Sequence, residues 1–218
     1  MLRIAVVVPV LIAVTVGTVA VVRSGPWRDG SVHGRWRTVF AGYGDVRGGD
    51  DEVTLEPRAA QGEEHTHAAL IATTTTYSDL ALSASVNTER QLRSGQPNAW
   101  EVGWVLWHYQ DPQHFYALVL KPSGWELSKQ DPAYPKGQRF LASGTTPTFA
   151  TGRWHTVSVV QIGASIKASA DGSLLTAVSD TERPYLTGAA GLYCEDARVH
   201  FKDLQILSLP SQSQENKA

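Results

Sequence analysis

Residues 100–129 read WEVGWVLWHYQDPQHFYALVLKPSGWELSK. Three short apolar runs are separated there by Asp111-Pro112 and by Pro122-Ser123-Gly124. Proline fixes φ and glycine supplies φ > 0, so both breaks are turn chemistry, and the runs read as three consecutive antiparallel strands. The stretch gathers Trp100, Trp104, Trp107 and Trp125, four of the seven tryptophans, with Tyr109, Tyr116, His108, His114, Glu101 and Glu126. Its aliphatic residues suit a core. Its aromatic and polar residues suit a groove, because flat C–H faces of a sugar stack on rings and hydroxyls bind polar tips.

Outward from this stretch the pattern stays β. RWRTVFAGYGDV, EVTLEP, HAALIATTT and LALSASVNT are short β-branched or alternating runs bounded by Gly, Asp or Pro. In LALSASV, Leu80, Leu82, Ala84 and Val86 are expected on a core face, with Ala81, Ser83 and Ser85 outward. Residues 87–99 read as a polar loop, and 130–149 as an irregular, proline-rich stretch. Asp171-Gly172 between ASIKASA and SLLTAVS is a strong hairpin signal. About a dozen short strands without a normal helix predict an all-β fold, a two-sheet antiparallel jelly-roll sandwich.

Residues 1–22, MLRIAVVVPVLIAVTVGTVAVV, form an apolar run with one early charge at Arg3. It has the layout of a signal peptide and the length of a membrane anchor; both place the remainder of the chain outside the cytoplasm. The predicted organisation is one apolar N-terminal helix in segment 1–23 (signal peptide or anchor), a linker over 24–35, the sandwich over 36–208 and a disordered tail over 209–218. Formal net charge is −2 with no basic cluster, which speaks against nucleic acid as a partner. The single Cys194 excludes an internal disulfide and any Cys-based zinc site. A monomer is expected.

Candidate contacts come from parity. On a regular strand Glu101, Trp107 and Tyr109 share a face, and Glu126 opposes Trp125 and Leu127. Glu101 and Glu126 are the candidate catalytic carboxylates, to be brought together only by tertiary pairing. Trp107, Tyr109, His114, Tyr116, Trp125 and Lys129 are candidate ligand contacts. Arg90 and Arg93 of the polar segment join them, with Glu182 and Arg183 of the polar loop 180–185. Trp36 and Trp154 are expected in the core, and one or two of Trp100, Trp107 and Trp125 on a binding face. His65 and His67, at strand i, i+2 spacing beside Glu63 and Glu64, read either as metal ligands or as a solvated strand start.

The order of an aromatic strand followed by Phe115-Tyr116, a Trp154-His155-Thr156-Val157 strand followed by the Asp171-Gly172 hairpin, and Gly191-Leu192-Tyr193 followed by Phe201-Lys202-Asp203 resembles the concanavalin A-like lectin/glucanase superfamily. Within it the chain is similar to laminin-G-like modules and to secreted bacterial 3-keto-disaccharide hydrolase-like domains. The resemblance implies a carbohydrate-binding domain with its ligand on a concave face; alternatives are a glycoside hydrolase and a laminin-G-like protein-interaction module. It also implies a structural calcium near the chain ends, which maps onto Asp203 with Gly42, Gly44 and Asp45 as partners. The E-x-D-x-E element of family 16 glycoside hydrolases is absent from the sequence, so binding is favoured over catalysis.

Overall fold

A computed structural model describes residues 25–62 and 65–210; the apolar segment, Glu63, Glu64 and 211–218 lie outside the described residues, and with them the predicted helix. In chain order the strands are β1 (Val32–His33), β2 (Trp36–Phe40), β3 (Asp45–Gly48), β4 (Glu52–Glu56), β5 (Ala68–Tyr77), β6 (Leu80–Gln91), β7 (Gly103–Asp111), β8 (His114–Lys121), β9 (Gly124–Gln130), β10 (Gln138–Gly144), β11 (His155–Ile162), β12 (Ser165–Ala170), β13 (Ser173–Ser179), β14 (Gly188–Glu195) and β15 (Ala197–Ser208). The described residues add one short helical turn, Pro135–Gly137, and no helix long and apolar enough to cross a membrane.

Two antiparallel sheets pack as a sandwich. One has eight strands in the order β1-β2-β5-β14-β7-β8-β9-β10, the other seven in the order β13-β12-β11-β6-β15-β4-β3. The stretch 100–129 supplies β7, β8 and β9, adjacent and antiparallel as its turns predict. Asp171 and Gly172 both take positive φ between β12 and β13, which a two-residue hairpin turn requires. From Leu80 to Thr88 burial alternates along β6, so Leu80, Leu82, Ala84 and Val86 meet the core while Ala81, Ser83 and Ser85 face out. Their inner partners across the sandwich include Ile71, Val105, Leu118, Leu127 and Leu192. Each such side chain, fully buried, contributes about 1.5–3 kcal/mol.

Three expectations about the frame change. β6 runs to Gln91, so the segment expected as a loop begins as strand. The segment 24–35 is not a free linker. Trp27 is buried in the core, stacks on His33 with centroids 4.5 Å apart, and its amide donates to the Val46 carbonyl. At the other end the Leu209 amide donates to the Asp79 carbonyl at 2.8 Å, so the ordered chain passes residue 208.

Two bulges decide which side chains face where. β7 carries one extra residue: Leu106 pairs with Gly191 and Tyr109 with Ala189, three residues against two, and His108 sits at φ 47. A one-residue slip flips every later side chain to the other face. Trp107 therefore points into the sandwich and Tyr109 out of it. The second bulge is at Asp203 in β15, φ 54, between the pairs Lys202–Ser85 and Gln205–Ser83.

Candidate functional site

The outer face of the eight-stranded sheet carries a second apolar cluster: Leu70, Val102, Trp104, Leu106, Phe115, Ala117 and Val119, with Phe40, Tyr109 and Tyr193 packed against it. Cross-strand register sets six of this face's residues in one line. Glu126 pairs with Val119, Val119 with Trp104, Trp104 with Tyr193, Tyr193 with Leu70, and Leu70 with Phe40. At about 4.8 Å per strand the line is roughly 24 Å long. Trp104 and Tyr193 meet edge to face at 5.0 Å, and Tyr193 and Phe40 at 6.5 Å.

Each end of the line is polar. At the β9 end Glu126 pairs with Lys121. Beyond Phe40 the chain turns through Tyr43, a residue at φ 58 that is 85% exposed and packs edge-on against His67. Phe40, Tyr43, His67, Thr66, Ala68, Gly42 and Asp29 line a depression of about 260 Å³ there.

Glu195 stands next to the line, two residues past Tyr193 and opposite Ala68. The Tyr193 hydroxyl donates to it at 2.5 Å, and the half-exposed Trp100 indole stands against the same carboxyl. Burial raises the Glu195 pKa above the usual carboxylate range, and the carboxylates of Asp196 and Glu101 push it the same way. Burial likewise lifts the Tyr193 phenol well above its ordinary value and, with Asp111, pushes that of Tyr109 up to about 12. Both phenols stay protonated, and that of Tyr193 donates to Glu195.

Among the residues expected to act, the structure brings Tyr109 and Glu126 onto this face, with Trp100 at its rim. Glu101 and Glu126 do not meet. Glu101 is fully buried, taking the Nε–H of Arg93 and the side-chain amide of Asn98, because Arg93 is buried too and must be neutralised. Arg93 is thus an internal strut, and its second carboxylate is Asp196 at 2.8 Å. Arg90, on β6, pairs with Glu56 of β4, both in the seven-stranded sheet and away from this face.

Trp107, Tyr116 and Trp125 are core residues, not ligand contacts. Trp107 stacks on Tyr116 at 5.6 Å and its indole donates to Gln161; the Trp125 indole donates to the Thr146 carbonyl. Lys129 is fully buried as well. Its ammonium reaches Asp180 at 2.8 Å and the carbonyls of Glu182 and Arg183 at 2.7 and 2.6 Å, and lies 4.6 Å from the Tyr185 ring centroid. Glu182 and Arg183 are held at one end of the sandwich, where Arg139 pairs with Glu182, Arg183 with Asp131, and both guanidiniums lie over the Tyr134 ring. His114 pairs with Asp111 in the β7–β8 turn. Trp36 is in the core as expected, whereas Trp154 is 44% exposed with Lys202 4.4 Å over its ring.

The cation set implied by resemblance does not converge. Asp45 pairs across β3–β4 with Glu56, and Asp203 comes after the Lys202 that pairs with Glu52 at the other end of β4. About four residues of strand, roughly 13 Å, separate the two ends. Asp45 is neutralised by Arg47, and Asp203 accepts from Ser85 at 2.8 Å. Gly42 and Gly44 lie against the backbone of Ala68 and of Glu56–Arg58. His67 approaches the Arg58 carbonyl at 2.7 Å through Nδ1, and no group of three or more His, Cys, Asp and Glu side chains converges among the described residues.

The architecture is that of the concanavalin A-like jelly rolls. The carbohydrate binding module CBM66 from Bacillus subtilis superimposes with a TM-score of 0.62 at 15% identity, covering 81% of this chain and 97% of that one. A beta-glucanase from Bacillus licheniformis does so with a TM-score of 0.55 at 10% identity, covering 86% and 99%. At such identities the likeness is one of fold. No curated protein matches the chain by sequence. Residues 25–207 match the model of the 3-keto-alpha-glucoside-1,2-lyase-like domain, and the chain belongs to that family.

Proposed function

We propose that this domain binds carbohydrate along the outer face of its eight-stranded sheet. The observation that carries the reading is the line Glu126–Val119–Trp104–Tyr193–Leu70–Phe40, in which the buried Val119, Trp104 and Leu70 form an apolar floor and the partly exposed Glu126, Tyr193 and Phe40 stand over it. A sugar chain presents the matching surface: C–H faces for the rings, hydroxyls for Glu126, Lys121, Glu195 and the Tyr193 phenol. The family name, with its glucoside, and the carbohydrate binding module among the structural neighbours agree with the choice of ligand.

Hydrolysis is the weaker reading. Glycosidase carboxylates stand about 5–9.5 Å apart. Glu126 and Glu195 lie three strands across and two residues along, roughly 16 Å at the backbone. The apolar run at residues 4–22 supports a place outside the cytoplasm, secreted or anchored, which fractionation of tagged cells tests.

Calorimetric titration with neutral gluco-oligosaccharides tests binding itself. Tyr193→Ala is expected to weaken it at least about tenfold, as loss of a central aromatic anchor does. If no oligosaccharide binds, or if Tyr193→Ala and Trp100→Ala bind as the parent does, the face is not a sugar site.

A further inference from the structure

The charges beside the line are unbalanced. Glu101, Asp196 and Glu195 are three carboxyls gathered about a single cation, Arg93. Every N–H of that guanidinium is already spent. Nε–H goes to Glu101, one terminal nitrogen to the carbonyls of Gly62 and His65, and the other to Thr66 Oγ1 and Asp196. Nothing is left for Glu195, whose hydrogen-bond partner is the neutral phenol of Tyr193, with the indole of Trp100 standing beside it. Of the three, only Glu195 retains access to solvent; Glu101 and Asp196 are fully buried. One oxygen of Glu101, Oε2, has no partner among the described residues, so the negative charge behind Glu195 is itself incompletely answered.

We propose that the corner formed by Glu195, Tyr193 and Trp100 receives a positively charged amino group, and hence that the sugar held on this face is an amino sugar with a free ammonium. The inference rests on the carbohydrate reading and narrows it. An ammonium supplies what Arg93 cannot: N–H donors to Glu195 and a positive charge in front of three carboxyls. The rings add to it, since the faces of Trp and Tyr attract cations and Trp100 is about half exposed. A carboxylate held in this setting without a counter-charge repels a uronic acid and gives a neutral sugar only ordinary hydrogen bonds. The neighbouring depression continues the same chemistry, with Phe40, Tyr43 and His67 as walls and the Asp29 carboxylate on its rim.

Binding is thereby linked to protons. The ammonium needs Glu195 ionised, so binding takes up the cost of removing its proton, and affinity rises with pH through the elevated Glu195 pKa until the amine itself loses its charge. A bell-shaped affinity profile results. A neutral sugar gives none.

The test is titration of the detergent-solubilised full chain with oligomers of glucosamine, of N-acetylglucosamine and of glucose in one linkage, over a pH series. The glucosamine oligomer is expected to bind at least about tenfold tighter than the other two at the top of its profile. In Glu195→Gln, which keeps the size of the side chain and an acceptor for Tyr193, that ratio is expected to collapse toward one. Equal affinity for all three sugars, or a ratio that survives in Glu195→Gln, overturns the proposal and leaves the carbohydrate face standing. Oligolysine binding as tightly as the glucosamine oligomer assigns the corner to any ammonium and overturns the sugar part. Failure of every ligand overturns both readings.

Discussion

Lys129 and Asp180 form an ion pair with both side chains wholly buried, Nζ 2.8 Å from Oδ2, joining β9 to the segment that leads into β14. Burial alone would raise the Asp180 pKa; the Lys129 ammonium, the Tyr116 hydroxyl and the Glu182 amide outweigh it and hold it below the usual range. Lys129→Met leaves that buried carboxylate with Arg139, 3.8 Å from its other oxygen, as the remaining cation, and is expected to cost about 3 kcal/mol in denaturant unfolding. The double variant Lys129→Met/Asp180→Leu is expected to recover most of the loss. The pH dependence has a definite sign. A depressed carboxyl stabilises fully above its unfolded value of about 3.9, and the contribution drains away as pH falls through the folded value.

Glu195 acts in the opposite sense. Its pKa is raised, so the folded chain binds a proton more tightly than the unfolded chain does, and stability falls as pH climbs from about 4.3 through the folded value. Glu195→Gln removes this contribution. Thermal melts across pH are expected to show the variant more stable than the parent near neutrality, with the difference vanishing in acid; a variant equally or less stable at neutral pH contradicts the burial and like-charge account.

Two tryptophans of one stretch should behave as opposites. Trp107→Ala empties a packed interior site and leaves Gln161 without its donor, a loss of about 3–5 kcal/mol in unfolding. Trp100→Ala, at the rim, is expected to change stability by no more than about 0.5 kcal/mol while weakening sugar binding in titration. Reversal of that pattern would exchange the faces assigned to them.

Gly188 backs directly onto the bulge residue: a Cβ there would stand 2.7 Å from the His108 Cα. His108 cannot retreat, since its ring nitrogens lie 2.6 and 2.7 Å from the carbonyls of Tyr185 and Ser78. Gly188→Ala is expected to cost about 1–3 kcal/mol and to shift Tyr109, which tyrosine fluorescence or side-chain NMR registers.

The parts of the fold legible in the sequence are those that turn chemistry and alternation write locally. Asp111-Pro112, Pro122-Ser123-Gly124 and Asp171-Gly172 announce β7–β9 and the β12–β13 hairpin because Pro and Gly restrict or free φ wherever they occur. Leu80 to Val86 show their face by period alone. The extra residue at His108 carries no such mark. A histidine at positive φ costs little enough to be permitted and is common enough elsewhere to be invisible, so parity puts Trp107 and Tyr109 on one face when they occupy two. Trp27 sits in a Gly-, Pro- and Ser-rich stretch, and only tertiary contact shows it to be core.

The site is harder to read for a related reason. Glu126, Trp104, Tyr193 and Phe40 come from β9, β7, β14 and β2, so no window of sequence contains the line. The single signal that points to it is the aromatic wealth of 100–129, and three of those rings, Trp107, Tyr116 and Trp125, turn inward. Phe40 and Glu195 escape a sequence reading as site residues because each lies among ordinary strand residues, and Tyr43 because it sits in a short turn between two strands.

The line also joins parts of the chain that are far apart in sequence. A ligand lying from Glu126 to Phe40 would touch strands that meet only once β14, near the end of the chain, has settled between β5 and β7. Occupancy would then act as a strap over the last and slowest pairings, favouring the closed sheet by mass action and resisting its opening from either edge. On the proposed reading such a surface would also report its own completion: a chain that has not yet inserted β14 lacks Tyr193 and the link between Trp104 and Leu70.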